Sequence, residues 1–342
     1  MKAIQYSEFG GPEVLRYVDV AEPVPDAGEV LIATEAIGVN FPDIRERLGT
    51  YNRSETRVGG VTLPHIGGIA VAGRVVAVGP GGDTALMGLP VVALTKSGGY
   101  AQLAVAAEEL CAVVDDDADL AALAGFAGQA VTAHLLLREL TSVRAGESVL
   151  VHAAAGGVGS MAVQIAKSLG ARPVIGTAGS IERQQYVREI GADAAVPYDE
   201  PGWTDRVLEM TGGRGVDVII ESIGGDVFEQ NFAVLAPFGR YLLLGSVRGP
   251  GKPFEPRRLM AKSQALIGLY LPGFFDRPDA IVRALRFLAA GLRDGAIKAT
   301  PAAVLPLSRA AEAHRQLEHR EVRGVVVLEP KPVGEPKKTN AS

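Results

Sequence analysis

VLVHAAAGGVGSMAVQIAKSLG, residues 149–170, opens with a short β-branched and apolar run, Val149–Val151, of the kind that fits a buried parallel strand. It breaks into Ala153-Ala154-Ala155-Gly156-Gly157-Val158-Gly159. From Met161 onward, Met161, Val163, Ile165, Ala166 and Leu169 recur at helical spacing, and Gly170 supplies a stop. Strand, glycine turn and helix in that order make a site for a diphosphate. Small residues let the backbone approach the phosphates, and the helix N-terminus offers N–H groups and a partial positive charge. Gly159 would let the helix pack closely on the strand. Ala153 stands where the dinucleotide fingerprint has its first Gly, so these seven residues alone also fit a tight turn with no ligand. The context favours the ligand. Strand-like and helix-like segments alternate for another hundred residues: 174–177, a helix over 181–190, 194–196, a helix over 204–210, 216–220, a helix over 227–235, 241–244 and 266–270. Six strands with crossovers predict an α/β fold with a doubly wound parallel sheet that binds a dinucleotide.

At 342 residues the chain is long enough for two domains, and its 47% hydrophobic content and 42 glycines describe an α/β protein rich in tight turns. The net charge of −5 gives no basic footprint for nucleic acid or an anionic membrane. A single cysteine, Cys111, excludes an internal disulfide and any multi-cysteine metal site. The N-terminal MKAIQ has no apolar signal core, which points to a cytoplasmic protein. Leu120 to Leu137 carries no charge and touches the threshold for a membrane span. Its Gly125, Gly128, Gln129, Thr132 and His134, and its many alanines, read instead as a buried or interdomain helix.

The first 110 residues read differently from the middle. Residues 1–7, 15–20, 29–37 and 73–78 alternate or carry β-branched runs, separated by Gly10-Gly11-Pro12, Pro23-Val24-Pro25-Asp26 and Gly79-Pro80-Gly81-Gly82. That is an all-β pattern, ending near the acidic run Asp115-Asp116-Asp117, a solvated loop. After Tyr270 come a helix over 278–291, the segment 297–305, a helix over 308–318 and a β-branched strand, 325–328, which should rejoin the N-terminal domain. The expected division is 1–118 with 273–330 as one domain and 119–272 as the nucleotide domain. The tail 331–342 has the composition of a disordered segment.

These pieces resemble a family. Phe9-Gly10-Gly11-Pro12-Glu13-Val14-Leu15, Gly38-Val39-Asn40-Phe41-Pro42-Asp43, Gly98-Gly99-Tyr100-Ala101 and Val151-His152-Ala153-Ala154-Ala155-Gly156-Gly157-Val158-Gly159 span much of the chain. Thr177-Ala178-Gly179-Ser180, Thr211-Gly212-Gly213-Arg214-Gly215-Val216-Asp217 and Gly224-Gly225-Asp226-Val227-Phe228 complete the set. Together they resemble the medium-chain dehydrogenases/reductases, and within them the zinc-free quinone oxidoreductases related to zeta-crystallin. The resemblance implies a GroES-like, β-rich catalytic domain built from both chain ends, a Rossmann domain between, an active site in the cleft and a nicotinamide cofactor as hydride donor.

Zinc divides this superfamily. A catalytic zinc needs three protein ligands from Cys, His or carboxylate. Zinc-dependent relatives carry a Cys where this chain has Asn40, and a Gly-His-Glu matched here by Gly68-Ile69-Ala70; the four-cysteine structural lobe is missing too. The nearby His65 reads as a structural or surface histidine. No metal is expected.

For the cofactor, about twenty residues beyond the glycine turn the chain reaches Thr177–Ser180 with no acid at the strand end to repel a 2′-phosphate. Ser180 can donate to a phosphate and Arg183 can clamp one, although Glu182 stands beside them. The expectation is NADPH. The resemblance adds Tyr198 beside that phosphate and Thr132 at the carboxamide end, and Gly245 and Ser246 complete the expected cofactor set with Ala155–Gly159, Thr177, Ser180 and Arg183. It also implies that Asn40 and Asp43 lie by the nicotinamide and that Tyr51 lines the active site, as a tyrosine does in quinone reductases and polyketide enoylreductases. A phenol there could donate to a carbonyl oxygen that gains charge as hydride arrives; the other reading of Tyr51 is a packing aromatic in a loop. Ala70, Leu89-Pro90-Val91 and the 52–61 loop depart from the family pattern, which leaves the substrate pocket open.

Three functions fit: an NADPH-dependent quinone oxidoreductase acting on a small conjugated carbonyl, a reductase of C=C bonds in enones or enoyl thioesters, and a non-catalytic NADPH-binding structural or RNA-binding protein. The apolar strand 266–270 should be the last of its sheet, and relatives pair it across a two-fold axis, so a homodimer is expected.

Overall fold

The computed structural model describes residues 1–50, 61–249, 251–319, 322 and 324–331. Two short strands come first, β1 (Lys2–Gln5) and β2 (Arg16–Asp19), paired antiparallel with Lys2 opposite Asp19. In β3 (Glu29–Val39) the residues Val30, Ile32, Thr34 and Ala36 alternate into the core, as a half-buried strand requires. Helix α1 (Phe41–Arg47) follows at once, then β4 (Ala70–Val78), β5 (Pro90–Leu94), β6 (Leu103–Ala107) and β7 (Cys111–Val113). β3 pairs antiparallel with both β4 and β6, β4 with β5, and β5 with β7. The sequence pattern shows neither α1 nor β5–β7, because these pieces are too short for a period to emerge.

Helix α2 (Leu120–His134) continues through a π-helical turn, Leu135–Leu140. The stretch Leu120–Leu140 is long and apolar enough to cross a membrane, yet 89% of its most apolar window is buried inside the protein, as in a core helix.

Then come β8 (Val149–Val151), α3 (Gly157–Ser168), β9 (Val174–Thr177), α4 (Ile181–Glu189), β10 (Ala194–Val196), α5 (Trp203–Met210), β11 (Val216–Glu221), α6 (Asp226–Val234), β12 (Leu235–Leu243) and β13 (Ala265–Gly268). These strands form one six-stranded sheet in the order β10-β9-β8-β11-β12-β13, every pair parallel. The order reverses between β8 and β11, the switch point at which doubly wound sheets bind nucleotides beyond their strand C-termini. Leu150, Ile175, Ile219, Phe228, Phe232 and Tyr241 fill its core.

The chain closes with α7 (Pro278–Arg293), β14 (Ala303–Pro306), α8 (Ala310–Glu318) and β15 (Val326–Glu329). β15 pairs antiparallel with β3, Val326 opposite Val39, so the end of the chain belongs to the first sheet.

The chain divides into two compact units: Met1–Gly128 with everything from Arg277 onward, and Gln129–Asp276. Composition points to 118/119 and 272/273 instead. The first division falls inside α2, whose uncharged run offers no break to read.

Candidate active site

In the second unit the glycine turn has the expected geometry at a cost the fingerprint normally avoids. Ala153, in place of the first Gly, takes a left-handed backbone with φ of 48°. Gly159 shows why no side chain fits there: a Cβ would lie 2.3 Å from the Ala153 carbonyl oxygen. Gly156, the N-cap of α3, offers no side chain to its first turn, so the N–H groups of that turn are left for a ligand. The residues Ala155 to Gly159 thus fit a pyrophosphate.

Thr177 ends β9 with its side chain fully buried, and its hydroxyl meets His152 Nδ1 at 3.1 Å rather than facing outward. His152 Nε2 meets Asn231 Oδ1 at 2.7 Å; an amide oxygen only accepts, so Nε2 carries the hydrogen. Burial lowers the His152 pKa, in keeping with this neutral ring. Asn231 passes the chain on to the buried Glu221 carboxylate, which also accepts the backbone N–H groups of Ile223 and Gly224. The turn after β11 is thereby anchored to the end of β9.

Ser180 caps α4: its Oγ accepts the Arg183 N–H at 3.3 Å and its hydroxyl donates to Glu182 at 3.0 Å. A 2′-phosphate would take over that hydroxyl. Tyr198 stands edge-on to His152, and the Arg248 guanidinium lies 5.0 Å above its ring. Asp199, beyond the end of β10 rather than on β9, brings a carboxylate beside Gly179, 3.6 Å from where a Cβ would sit. Gly245 and Ser246 follow β12, in a loop that Val247 and Arg248 zip to Ser222 and Ile223 through backbone hydrogen bonds of 3.1 and 2.7 Å. Thr132 lies buried on α2.

In the first unit Asn40 is the N-cap of α1 and is buried. Its Oδ1 packs against α2 at Gly128, where a Cβ would lie 2.8 Å away. Its Nδ2 donates to Gly38 O at 3.0 Å, and its backbone N–H to Asp43 Oδ2 at 2.8 Å. Asp43 is therefore the N3 residue reaching back to its own helix cap, and it acts on Asn40 rather than standing free. Tyr100 donates a second hydrogen bond to the same oxygen, at 3.0 Å. Burial above all, with Glu46 adding to it, raises the Asp43 pKa to about 7, against the pull of the Asn40 and Tyr100 hydrogen bonds. His65 sits in a bridge with Tyr6, its Nε2 3.9 Å from Glu46, a structural placement. Tyr51 lies outside the described residues.

At the positions where zinc ligands are sought, Asn40 is engaged as above, while Ile69 and Ala70 lead into β4 and carry no donor atom. Among the described residues no three His, Cys, Asp or Glu side chains come together as a metal site. A doubly wound unit with a phosphate turn, attached to a β-rich unit that buries Asn40 and Asp43, defines a dinucleotide-dependent oxidoreductase.

Residues 26–134 match the family model of the alcohol dehydrogenase GroES-like domain, and residues 157–290 that of the zinc-binding dehydrogenase. The chain is 36% identical to the human quinone oxidoreductase over 321 residues, covering 93% of this chain and 94% of that one. It is 32% identical to a 2-haloacrylate reductase from Burkholderia, covering 94% and 96%. The solved structure of Escherichia coli quinone oxidoreductase complexed with NADPH matches with a TM-score of 0.88 at 30% identity, covering 96% of this chain and all of that one. The chain belongs to the zinc-free quinone oxidoreductase family of the medium-chain dehydrogenases/reductases. It is an NADPH-dependent oxidoreductase acting on a small molecule.

Sequence reasoning passed over Arg47, Tyr100, His314, Glu221 and Asn231. Tyr100 and His152 stood within the quoted motifs, but nothing in the sequence shows which carboxylate either serves.

Proposed function

We propose that the enzyme reduces conjugated carbonyl compounds, with quinones as the principal class. Bound NADPH supplies a hydride. The observation that carries the choice of acceptor is the donor set around Asn40: it offers hydrogen bonds, and among the described residues no cluster of metal-ligating side chains stands beside it. A conjugated acceptor tolerates this, because conjugation spreads the incoming charge onto oxygen, whereas a saturated ketone needs stronger polarisation. An amide nitrogen has two N–H groups. Asn40 commits one to Gly38, which holds the amide plane, and has the other to give to a substrate oxygen. A donor of this kind, aimed at a developing oxyanion, is worth about 2.7–4 kcal/mol. Tyr51 is the proposed second donor, and the closing proton comes from its phenol or from solvent.

The relationship to a 2-haloacrylate reductase supports a second reading, reduction of an activated C=C bond by the same hydride delivery. NADPH oxidation over a panel of quinones, enones and saturated ketones tests both. Quinones should lead, and enone turnover with inert quinones would install the second reading. Efficient reduction of simple ketones or aldehydes would overturn the mechanism.

The partners we propose are small molecules in the cytoplasm, not nucleic acid or membrane, in keeping with the net charge of −5. We also propose a homodimer. β13 ends its sheet with Leu266 and Ile267 only half-buried, an apolar edge that a second copy would cover.

A further inference from the structure

Asp43, Arg47, Tyr100 and His314 are 3%, 0%, 1% and 1% exposed, an unusual set of side chains to keep so dry. They come from α1, from the segment before β6, and from α8. Their hydrogen bonds have one direction. Arg47 has only donors, so its Nη1 donates to His314 Nδ1 across 3.3 Å. His314 then carries its hydrogen on Nε2 and donates to the Tyr100 oxygen at 3.0 Å. The Tyr100 hydroxyl is left to donate to Asp43 Oδ2, which also receives the Asn40 N–H. Arg47 is itself tied down by Gly10 O, 3.1 Å from its Nε, and by Glu318. Burial, with Arg47 beside it, pushes the His314 pKa down to about 3, so the ring stays neutral and the direction of the chain is kept.

We propose that Tyr100 and His314 are positioning residues for the reaction: the chain running from Arg47 through them holds the Asp43 carboxylate on the backbone of Asn40 and so aims the Asn40 amide. This rests on the reading of Asn40 as donor to the substrate oxygen. The two oxygens of Asp43 divide the work. Oδ2 accepts both donors, while Oδ1 is buried with no hydrogen-bond partner among the described residues. A proton arriving on Asp43 goes to Oδ1. Both bonds at Oδ2 then survive as neutral ones, about half as strong as those to an anion. The charged and titratable groups facing Asp43 are Glu46 and Tyr100, with Arg47 and His314 one link further, on Tyr100, and His65 behind Glu46. Asp43 changes charge at about pH 7, where burial and Glu46 outweigh the hydrogen bonds from Asn40 and Tyr100.

The test is the pH dependence of kcat for quinone reduction at saturating NADPH, from mildly acidic to mildly alkaline solution. The wild type should lose rate on an acidic limb near pH 7. Tyr100→Phe, an isosteric change, removes a bond that favours the anion, so the limb should move to higher pH by about one unit, with the NADPH KM unchanged. Asp43→Asn keeps an acceptor for both donors but has no proton to take, and should lose the limb. An unmoved limb in Tyr100→Phe, or a limb that persists in Asp43→Asn, overturns the proposal. Asn40→Ser separates the two readings: if it leaves kcat intact, Asn40 is not the donor and the proposal falls with it. If it lowers kcat while the Tyr100→Phe limb stays put, the donor reading stands and the positioning chain alone is refuted.

Discussion

Asp43→Asn should remove from the first unit's stability a component that falls as pH rises, the sign opposite to that of an ordinary surface carboxylate. In the unfolded chain Asp43 titrates at 3.8, and in the fold at about 7. Between those values the folded protein keeps a proton that the unfolded chain has released, so stability falls as pH rises through the window. The full shift of about three units corresponds to about 4 kcal/mol, absent below the lower value and complete above the upper. Moving from about pH 5 to about pH 8 crosses about two of those units, or about 2.7 kcal/mol. His314 works in the other direction: its pKa drops from 6.5 to about 3, so it costs stability as pH falls below 6.5. It is present in both proteins and cancels in their difference. The substitution itself places an amide N–H pair where Oδ1 has no partner among the described residues, a loss of about 1–3 kcal/mol at every pH. The informative quantity is therefore how the difference between the proteins changes with pH. Urea unfolding followed by circular dichroism at the two pH values measures it. The single tryptophan, Trp203, lies in the second unit, and its fluorescence supplies an internal control that should not respond. Parallel stability profiles for wild type and variant would refute the reasoning.

Arg183→Ala should weaken NADPH binding by about 1.5–3 kcal/mol, the range for hydrogen bonds to charged groups, and leave NADH nearly unchanged in fluorescence titrations; equal losses would make Arg183 a residue of the fold. Tyr51→Phe should cost little rate with quinones and more with enones, read as kcat on each acceptor. Chelators should leave activity intact, and stoichiometric zinc by elemental analysis together with loss of activity on chelation would reverse the assignment of Asn40, Ile69 and Ala70. Light scattering at micromolar concentration should return twice the chain mass, and a monomer would count against pairing through β13.

The doubly wound unit was legible because each of its strands is a compact apolar run with a helix-length gap behind it. Val149–Val151, Val174–Thr177 and Ala194–Val196 fall where the pattern puts them. The β12 strand begins earlier than its pattern, at Leu235, because Pro237 and Gly239 interrupt the alternation without ending the pairing. In the first unit α1 was invisible: seven residues beginning Phe-Pro carry too little period, and only the Asn40–Asp43 capping pair announces them.

Less legible still were the links that make the residues a site, and the two units solve that problem alike. In each, a buried neutral histidine is fixed in one tautomer by a single partner and relays hydrogen bonds toward a carboxylate. The carboxylate in turn holds backbone N–H groups of an irregular turn: Asp43 holds Asn40, and Glu221 holds Ile223 and Gly224. Such turns have no ladder to satisfy their N–H groups, yet they must keep one shape if they are to face a ligand. An anionic acceptor does this with stronger bonds than water or a neutral amide. It is costly to bury, which is why each is fed by several donors rather than one. The links join residues 57, 214 and 267 apart in the first unit and 25 and 79 apart in the second. No local window contains them, and each member taken singly, a Tyr after two glycines or a His in the last helix, has an ordinary packing explanation. The chemistry of the site was thus readable where the chain itself brings residues together, and hidden where only the packed core does.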